Sequence, residues 1–195
     1  DGGINAKPAT TSPFDTANKM KVRANPLHSY VNWTYQIAMY MLSPSEYNTL
    51  TENGAPGALQ SKMFQSGGFA KASGDGLFSR DYYVESLNAV GAVGIGGLAR
   101  TNNIYDIEMV LVEPYGVQFL SELVSLAQLI GVEDYINCAY LLEIKFLGYD
   151  DLGKPVTNIP QTGPKYIPVK LIGVDFKIGA EGTKYTIQMV PYSHY

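Results

Sequence analysis

Apolar residues alternate with polar ones over several long stretches of this chain, and this period of two constrains the fold most strongly. In YVNWTYQIAMYML, every odd position from Val31 to Met41 is apolar or aromatic, whereas the even positions begin with Asn32 and Thr34. Successive side chains of a β-strand point to opposite faces, so the pattern predicts a strand at about residues 29–42. A strand of this length is typical of an extended or assembled sheet.

The alternation returns farther along the chain. It predicts further strands at about 81–90, 104–113, 139–149, 165–179 and 184–190. Within KYIPVKLIGVDFKIG the alternation shifts by one residue, which predicts a β-bulge at Ile172–Gly173. Pro168 has no N–H to donate, so we expect this strand to lie at an edge of the sheet or to pair irregularly there.

Two stretches predict helices. Ser43, Pro44 and Glu46 have the spacing of a capping box with proline in the first turn, which predicts a short helix at about 44–51. After the turn residues Pro114 and Gly116, apolar residues return every three or four positions. This predicts an amphipathic helix at about 117–130 that ends at Gly131. Its apolar stripe is formed by Leu120, Leu123, Val124, Ala127 and Ile130, with Phe119 and Leu126 beside it.

Other stretches show no period. Residues 1–26 predict an N-terminal arm, either disordered or lying along a neighbouring subunit. Residues 53–80 are polar and Gly-rich, and predict a long excursion that is either flexible or in contact with a partner. The glycine-rich residues 91–103 predict a turn region or a kinked hairpin arm. We therefore expect one β-rich domain at 27–195 that carries the excursion.

The order of these elements predicts the fold class. Because the strands are not each followed by a helix, a doubly wound parallel sheet does not fit. The 20 Gly, 15 Tyr and 11 Pro residues also favour many strands and turns. We predict a mainly β (α+β) fold: a mostly antiparallel β-sandwich or barrel of about six strands, packed by the helix at about 117–130, with the short helix at about 44–51.

Charge and apolar length argue against two classes of partner. With 18 acidic and 14 basic residues, the chain lacks the excess of positive charge that phosphate binding requires, so we expect no specific nucleic-acid binding. Its apolar runs are shorter than the roughly 20 residues of a membrane-spanning helix, so we expect no membrane span. The first residues show neither a signal peptide nor an initiator Met, as in one piece of a longer protein.

Residues that commonly carry chemistry are sparse. Cys138 is the only cysteine, which excludes an internal disulfide, and its apolar surroundings predict a buried thiol. The only histidines, His28 and His194, lie near opposite ends of the chain, and we expect structural or solvent-facing roles for them. We therefore predict a non-enzymatic protein with no catalytic, cofactor-binding or metal-binding residues and no cofactor.

Two patterns superficially suggest a site. The letters GIGGLA at 94–99 match a dinucleotide-binding loop, but a strand follows them where a helix should begin, and Glu113 comes only after that strand. The carboxylate pairs Glu133–Asp134 and Asp150–Asp151 lie in turns, where caps solvated by water are the simpler role. The spacing around Asp150 also lacks the ligand order of a calcium loop.

The tyrosines are too numerous for one core. Tyrosine is favoured at protein interfaces because it combines a large apolar body with a polar tip. Ordinary half-buried strand positions are an equally good interpretation. Both remain open for Tyr30, Tyr40, Tyr82, Tyr83, Tyr149, Tyr166, Tyr192 and Tyr195.

Four stretches together resemble a known family. They are NPLHSYVNWTYQIAMYMLSPSEYNTL, DYYVESLNAV, VEPYGVQFLSELV and YLLEIKFLGYDDLGKP. In this order they resemble virion structural proteins of large tailed bacteriophages over about residues 25–190. The resemblance implies a tail or baseplate component, such as a hub or tail-tube-like assembly protein, and it brings no catalytic residues.

From the resemblance we expect a structural protein of the virion, assembled in the host cytoplasm. Its expected partners are other virion proteins, either as a homo-oligomeric ring or within a larger hetero-assembly. A carbohydrate- or receptor-binding module of a virion is the alternative, in which Trp33 or a tyrosine cluster would stack on sugar. The position of Trp33 on the apolar strand face argues for burial in the core instead. A hydrolase domain lacks a credible set of catalytic residues.

Overall fold

The computed structural model describes most of the chain. The described residues are 25–68, 76–78, 80–92, 104–156, 159 and 163–192. The expected N-terminal arm at 1–26 lies outside these ranges except for its last two residues. The expected turn region at 91–103 lies outside them except for its first two residues.

The described residues form one antiparallel sheet of eight strands and two helices. The helices are α1 (Pro44–Asn53) and α2 (Phe119–Leu129), and a short 3-10 turn, Pro26–Ser29, precedes the sheet. The strands are β1 (Asn32–Met41), β2 (Lys62–Gly67), β3 (Tyr83–Ala92), β4 (Ile104–Glu113), β5 (Tyr140–Tyr149), β6 (Pro155–Val156), β7 (Lys165–Gly179) and β8 (Gly182–Pro191).

The strand order across the sheet is β2-β1-β5-β7-β8-β4-β3, with β6 beside β5. The prediction of a mainly β, antiparallel fold is therefore confirmed, with eight strands where about six were expected. The sheet is not closed into a barrel. Its two edge strands, β2 and β3, nevertheless approach each other: the Val84 N–H of β3 donates to the Ser66 hydroxyl of β2. The faces that turn towards each other enclose the main core, as in a sandwich.

Strand β7 connects the two halves of the sheet because it changes partner along its length. Its residues 165–169 pair with β5, and its residues 169–179 pair with β8. The register with β8 shifts between Leu171 and Gly173, so the predicted bulge is confirmed. The one-residue insertion bends the strand as it passes from one half to the other.

Pro168 is not on an edge strand, since β7 lies between β5 and β8. Its carbonyl accepts from the Tyr192 N–H, so its nitrogen also points towards β8. The β8 ladder ends beside it, at the pair Val169 and Pro191. The missing N–H therefore falls where the ladder terminates, and it removes no bond from the ladder to β5.

Strand β1 is buried on both faces over its second half. Met39 and Met41 point into the main core, whereas Ala38 and Tyr40 point into a smaller core beneath α1. A strand covered on both faces cannot slip by one residue without exposing a full set of side chains, so its register is strongly specified.

Helix α2 packs on the sheet with a slightly different stripe from the predicted one. Its buried residues are Phe119, Leu123, Leu126 and Ala127, whereas Val124 is exposed. Phe119 is the first residue of the helix. The other buried residues follow it at spacings of three or four, so all four side chains lie on one face. Each buried side chain contributes roughly 1.5–3 kcal/mol before the entropy cost. Gly131 has a φ of 76° and follows the helix end, as predicted.

The capping box at Ser43 is confirmed, and Glu46 extends it. Burial alone would raise the pKa of the Glu46 carboxyl, but hydrogen bonds from the Gln60 and Ser43 N–H groups and from the Ser43 and Ser61 hydroxyls lower it overall. The same carboxylate therefore caps α1 and fixes the segment that leads into β2.

The excursion at 53–80 contains a strand that the sequence did not predict. Strand β2 pairs with β1, and the backbone of Leu77 and Phe78 bonds to the far side of β2. Alternation does not reveal this strand because the adjacent residues Met63 and Phe64 are both buried. The predicted long strands at about 29–42 and 165–179 are confirmed with small changes at their ends.

We expect Glu46→Gln to lower the free energy of unfolding by about 1–2 kcal/mol at pH 7 through weaker hydrogen bonding. The pKa of Glu46 is lowered by folding, so its contribution is present above its ordinary value, roughly 4.3, and is lost as the pH falls through the folded value. Urea unfolding at several pH values should therefore show the two proteins converging below about pH 4. The exposed Glu52→Gln on the same helix is the control, and an equal effect there would contradict the role of Glu46.

A comparison of Gly182 with Gly54 tests whether the close approach of another backbone, in addition to positive φ, requires glycine. Both have positive φ, 113° and 65°, but a side chain at Gly182 would overlap the backbone of Glu113 and Pro114, whereas Gly54 faces open space. We expect Gly54→Ala to cost about 1 kcal/mol and Gly182→Ala about 3 kcal/mol. Equal losses in urea unfolding would show that strand approach at Gly182 imposes no added constraint.

Candidate interaction surface

An aromatic strip lies at the outer end of β1 and β5; it comprises Trp33, Tyr35 and Phe146. Tyr35 and Phe146 are directly paired across the two strands, and the Trp33 and Phe146 rings meet nearly edge to face with centroids 5.9 Å apart. Trp33 is 48% exposed and Tyr35 is 50% exposed. Large aromatic side chains this accessible, side by side, form a surface suited to contact with another molecule.

Trp33 faces the same side of β1 as Met39, but it does not lie in the core. The expectation from the apolar face is therefore wrong about its burial. The alternation predicts a face correctly but not where the core ends, and β1 runs past the core at its first residues. Tyr30 packs against Gly148, the cross-strand partner of Trp33, where a side chain would collide with the Tyr30 ring.

A second exposed apolar surface lies at the far end of β7. Phe176 is 52% exposed and Ile178 is 64% exposed, although both share a face with Val174, which packs against the main core. The β7–β8 hairpin therefore extends beyond the core, just as β1 does at the opposite end of the sheet.

The turn after β4 is organised by a buried carboxylate. Glu113 is 1% exposed, and its Oε2 accepts from the Gln118 N–H at 2.9 Å and from the Tyr185 hydroxyl at 2.8 Å. Burial, followed by this bond to Glu113, raises the pKa of the Tyr185 hydroxyl, which therefore stays a donor. The carboxylate fixes the start of α2 and joins it to β8.

Gly116 has a clear role in this turn. A side chain there would overlap Oε1 of Glu113, so glycine lets the turn close over the carboxylate. The Thr183 hydroxyl donates to the Gly116 carbonyl at 2.6 Å and ties the turn to β8. The motif VEPYG thus encodes a structural junction.

A small cleft of about 140 Å³ opens beside this junction, lined by Arg80, Asp81, Glu113 and Tyr115. The Arg80 Nε donates to the Gln118 side chain at 3.2 Å. Another shallow groove, of about 280 Å³, runs along α2 and is lined mainly by Leu77, Phe78, Leu126 and Leu129, with Glu122 and Ser125 at its side. Both hollows are small beside the roughly 300–1,000 Å³ typical of ligand pockets.

The sequence left two interpretations open for the tyrosines, namely interface positions and ordinary half-buried strand positions, and the structure contains exposed as well as buried and half-buried examples. Tyr82 is buried, and its hydroxyl donates to Glu122. The Tyr40 and Tyr166 hydroxyls both donate to Glu143 at the second core. Tyr83 is exposed, and Tyr30, Tyr149 and Tyr192 are half-buried. Tyr195 lies outside the described residues.

The other residues singled out from the sequence do not converge. His28 is exposed in the turn before β1, while His194 and residues 94–99 lie outside the described ranges. Asp134 and Asp150 accept hydrogen bonds from the backbone of their own turns. Glu133 and Asp151 are exposed. Within the described ranges, no three His, Cys, Asp or Glu side chains are grouped so as to hold a metal ion.

No helix in the described part of the chain is long and apolar enough to cross a membrane. No protein-family model matches the chain, and neither a curated protein nor a solved structure matches it significantly.

We expect Tyr185→Phe to lower the free energy of unfolding by about 1.5–3 kcal/mol, because it removes a donor from the buried carboxylate of Glu113. Tyr115→Phe, at an exposed residue of the same turn, should change it by less than about 0.5 kcal/mol. Urea unfolding near neutral pH measures both. If the Tyr185 variant were as stable as the Tyr115 control, the hydrogen bond from Tyr185 to Glu113 would not stabilise the fold.

Cys138 should react slowly with thiol reagents. It is 2% exposed, and burial, followed by the nearby Asp134, raises the pKa of its thiol to about 11. Because the thiolate is the reactive form, we expect labelling of the native protein at pH 8 to be at least about 100-fold slower than labelling in denaturant. Comparable rates would show that the thiol is accessible.

Proposed function

We propose that this chain is a non-enzymatic structural component of a bacteriophage virion: a tail or baseplate hub protein or a tail-tube-like assembly protein. The observation that supports the proposal is the exposure of large apolar side chains at both ends of one open sheet. They are Trp33 and Tyr35 at one end, and Phe176 and Ile178 at the other.

Apolar side chains that project from strands beyond the core are costly to leave in water. Each such residue that is fully covered by a partner contributes roughly 1.5–3 kcal/mol. Open strand edges beside them would invite uncontrolled pairing unless a proper partner occupies them. This surface therefore favours a protein that works by contact with neighbours.

The virion context comes from the sequence resemblance. The residues behind its motifs have structural roles here: Ser43 and Glu46 cap α1, and Glu113 with Gly116 joins α2 to β8. A scaffold of this kind supports an assembly protein of the tail or baseplate, made in the host cytoplasm. Its partners would be copies of itself in a ring, or other virion proteins in a hetero-assembly.

The test combines association with particle composition. We expect the purified chain to associate with itself, or with proteins released from dissociated phage particles, in analytical ultracentrifugation. The chain should also be found in purified virions by mass spectrometry. A chain that stays monomeric at high concentration, binds no particle protein and is absent from virions would contradict the proposal.

Substitutions can locate the contact. We expect Trp33→Ala and Phe176→Ala each to weaken association at least tenfold, as central aromatic interface residues do. Leu152→Ala, at a 92% exposed residue of the turn after β5 that belongs to neither exposed strand surface, is the control and should have little effect. Equal affinity for all three variants would remove these surfaces from the contact.

A carbohydrate-binding module of the virion is the second candidate. Its support is the exposure of Trp33 beside Tyr35, because exposed aromatic rings can stack on sugar rings. On a glycan array, binding that is lost in Trp33→Ala and Tyr35→Ala but kept in Leu152→Ala would favour this function. An array without any bound glycan would exclude it for the glycans tested.

A further inference from the structure

The far half of β7 has an open edge. From Asp175 to Gly179 every residue is exposed, and β7 pairs there with β8 on one side only. Strand β5 pairs with β7 only up to Val169, so it does not reach this half. Among the described residues, no backbone group bonds to this side of the strand.

The alternation of an antiparallel ladder identifies the groups that face this edge. Pro168 accepts from Tyr192 and therefore points towards β8. When the pairing register with β8 is followed through the bulge, the backbone groups of Gly173, Asp175 and Lys177 point towards β8 as well. The N–H and C=O groups of the intervening residues consequently face the open side; these residues are Val174, Phe176 and Ile178.

The chain has a second open edge on β3. This strand pairs only with β4, and the Val84 N–H points away from β4 because it donates to Ser66. Following the register from Val84 past its irregularity, the groups of Leu87, Ala89 and Gly91 also face outwards. Among the described residues, nothing pairs with the backbone of this stretch.

The two edges match in two respects. Each presents three residues at spacings of two, which is the repeat that an antiparallel partner requires. On both edges these residues belong to the face that continues the main core, as Val174 and Leu87 pack against it. The apolar side chains of Phe176 and Ile178 would therefore lie beside Leu87 and Ala89 on one shared face.

We propose that the β7 edge of one copy pairs antiparallel with the β3 edge of a second copy, so that the sheet continues from one subunit to the next. The inference rests on the proposed assembly function and names its contact. The two edges differ, so the contact is head-to-tail and leaves one free edge at each end of a chain of subunits, which allows a ring to close. Main-chain hydrogen bonds supply the affinity, and the apolar face supplies the register.

Amide hydrogen exchange by NMR tests the pairing residue by residue. In dilute solution of the 195-residue chain, we expect the Asp175 and Lys177 amides to be protected, and the Phe176 and Ile178 amides to exchange at least tenfold faster. At concentrations where the chain associates, the Phe176, Ile178 and Ala89 amides should become protected together. Association without this change would overturn the pairing while leaving an assembly function intact.

Two proline variants test the head-to-tail geometry. Ile178→Pro and Ala89→Pro each remove one outward-facing N–H without removing a bond to the neighbouring strand, which an edge tolerates. We expect each variant alone to associate at least tenfold more weakly than the wild-type chain. A mixture should form a one-to-one dimer that grows no further, because each variant retains one intact edge.

The controls are Ile178→Thr and Ala89→Ser, which keep the N–H groups and should keep most of the association. Circular dichroism and unfolding of each proline variant show that it is folded, and the mixed dimer shows this independently. Association by either proline variant alone at wild-type strength, or failure of the mixture of folded variants to pair, would overturn the proposal. A wild-type chain that never self-associates would overturn it as well, while binding of that chain to another virion protein would leave the proposed function standing.

Discussion

The sheet depends on the backbone hydrogen bonding of one strand, β7, to two different partners. Its first residues bond to β5 and its later residues to β8, and the bulge after Leu171 bends it between them. Each half of the sheet would otherwise be a separate small layer with an exposed apolar face. The long strand therefore holds together the two layers that enclose the core. The same arrangement leaves half of its length paired on one side only.

The sequence predicted those elements whose signals are local. Alternation located the long strands, the shift in alternation located the bulge near Gly173, and the spacing of Ser43 and Glu46 located the start of α1. Strand β2 was missed because the adjacent residues Met63 and Phe64 are both buried in the main core, beside a register shift with β1, which erases the period of two. The exposure of Trp33 was missed for a related reason: periodicity gives a side chain its face, whereas burial depends on how far the opposite layer extends.

The junction at Glu113 shows the same limit at the level of side chains. A glutamate at the end of a strand is normally exposed to solvent. Its hydrogen-bond donor here is Tyr185, which lies 72 residues away in the sequence, so no local pattern predicts the pair. Only the fold brings β4, α2 and β8 together at this carboxylate. The local hint was Gly116, whose lack of a side chain is required by the carboxylate folded against it. The motif VEPYG, which is part of the family resemblance, therefore forms a structural junction in this protein.

Trp33 is the only tryptophan of the chain, and it lies on the aromatic strip at the outer end of β1, half exposed and beyond the main core. Its fluorescence consequently reports the local environment of that strand end. The core is sensed instead by tyrosines such as Tyr140 and Tyr185, whose rings are enclosed. A melting curve followed through tryptophan emission thus records fraying of the outer end of β1, or binding of a partner there, while the core is still folded.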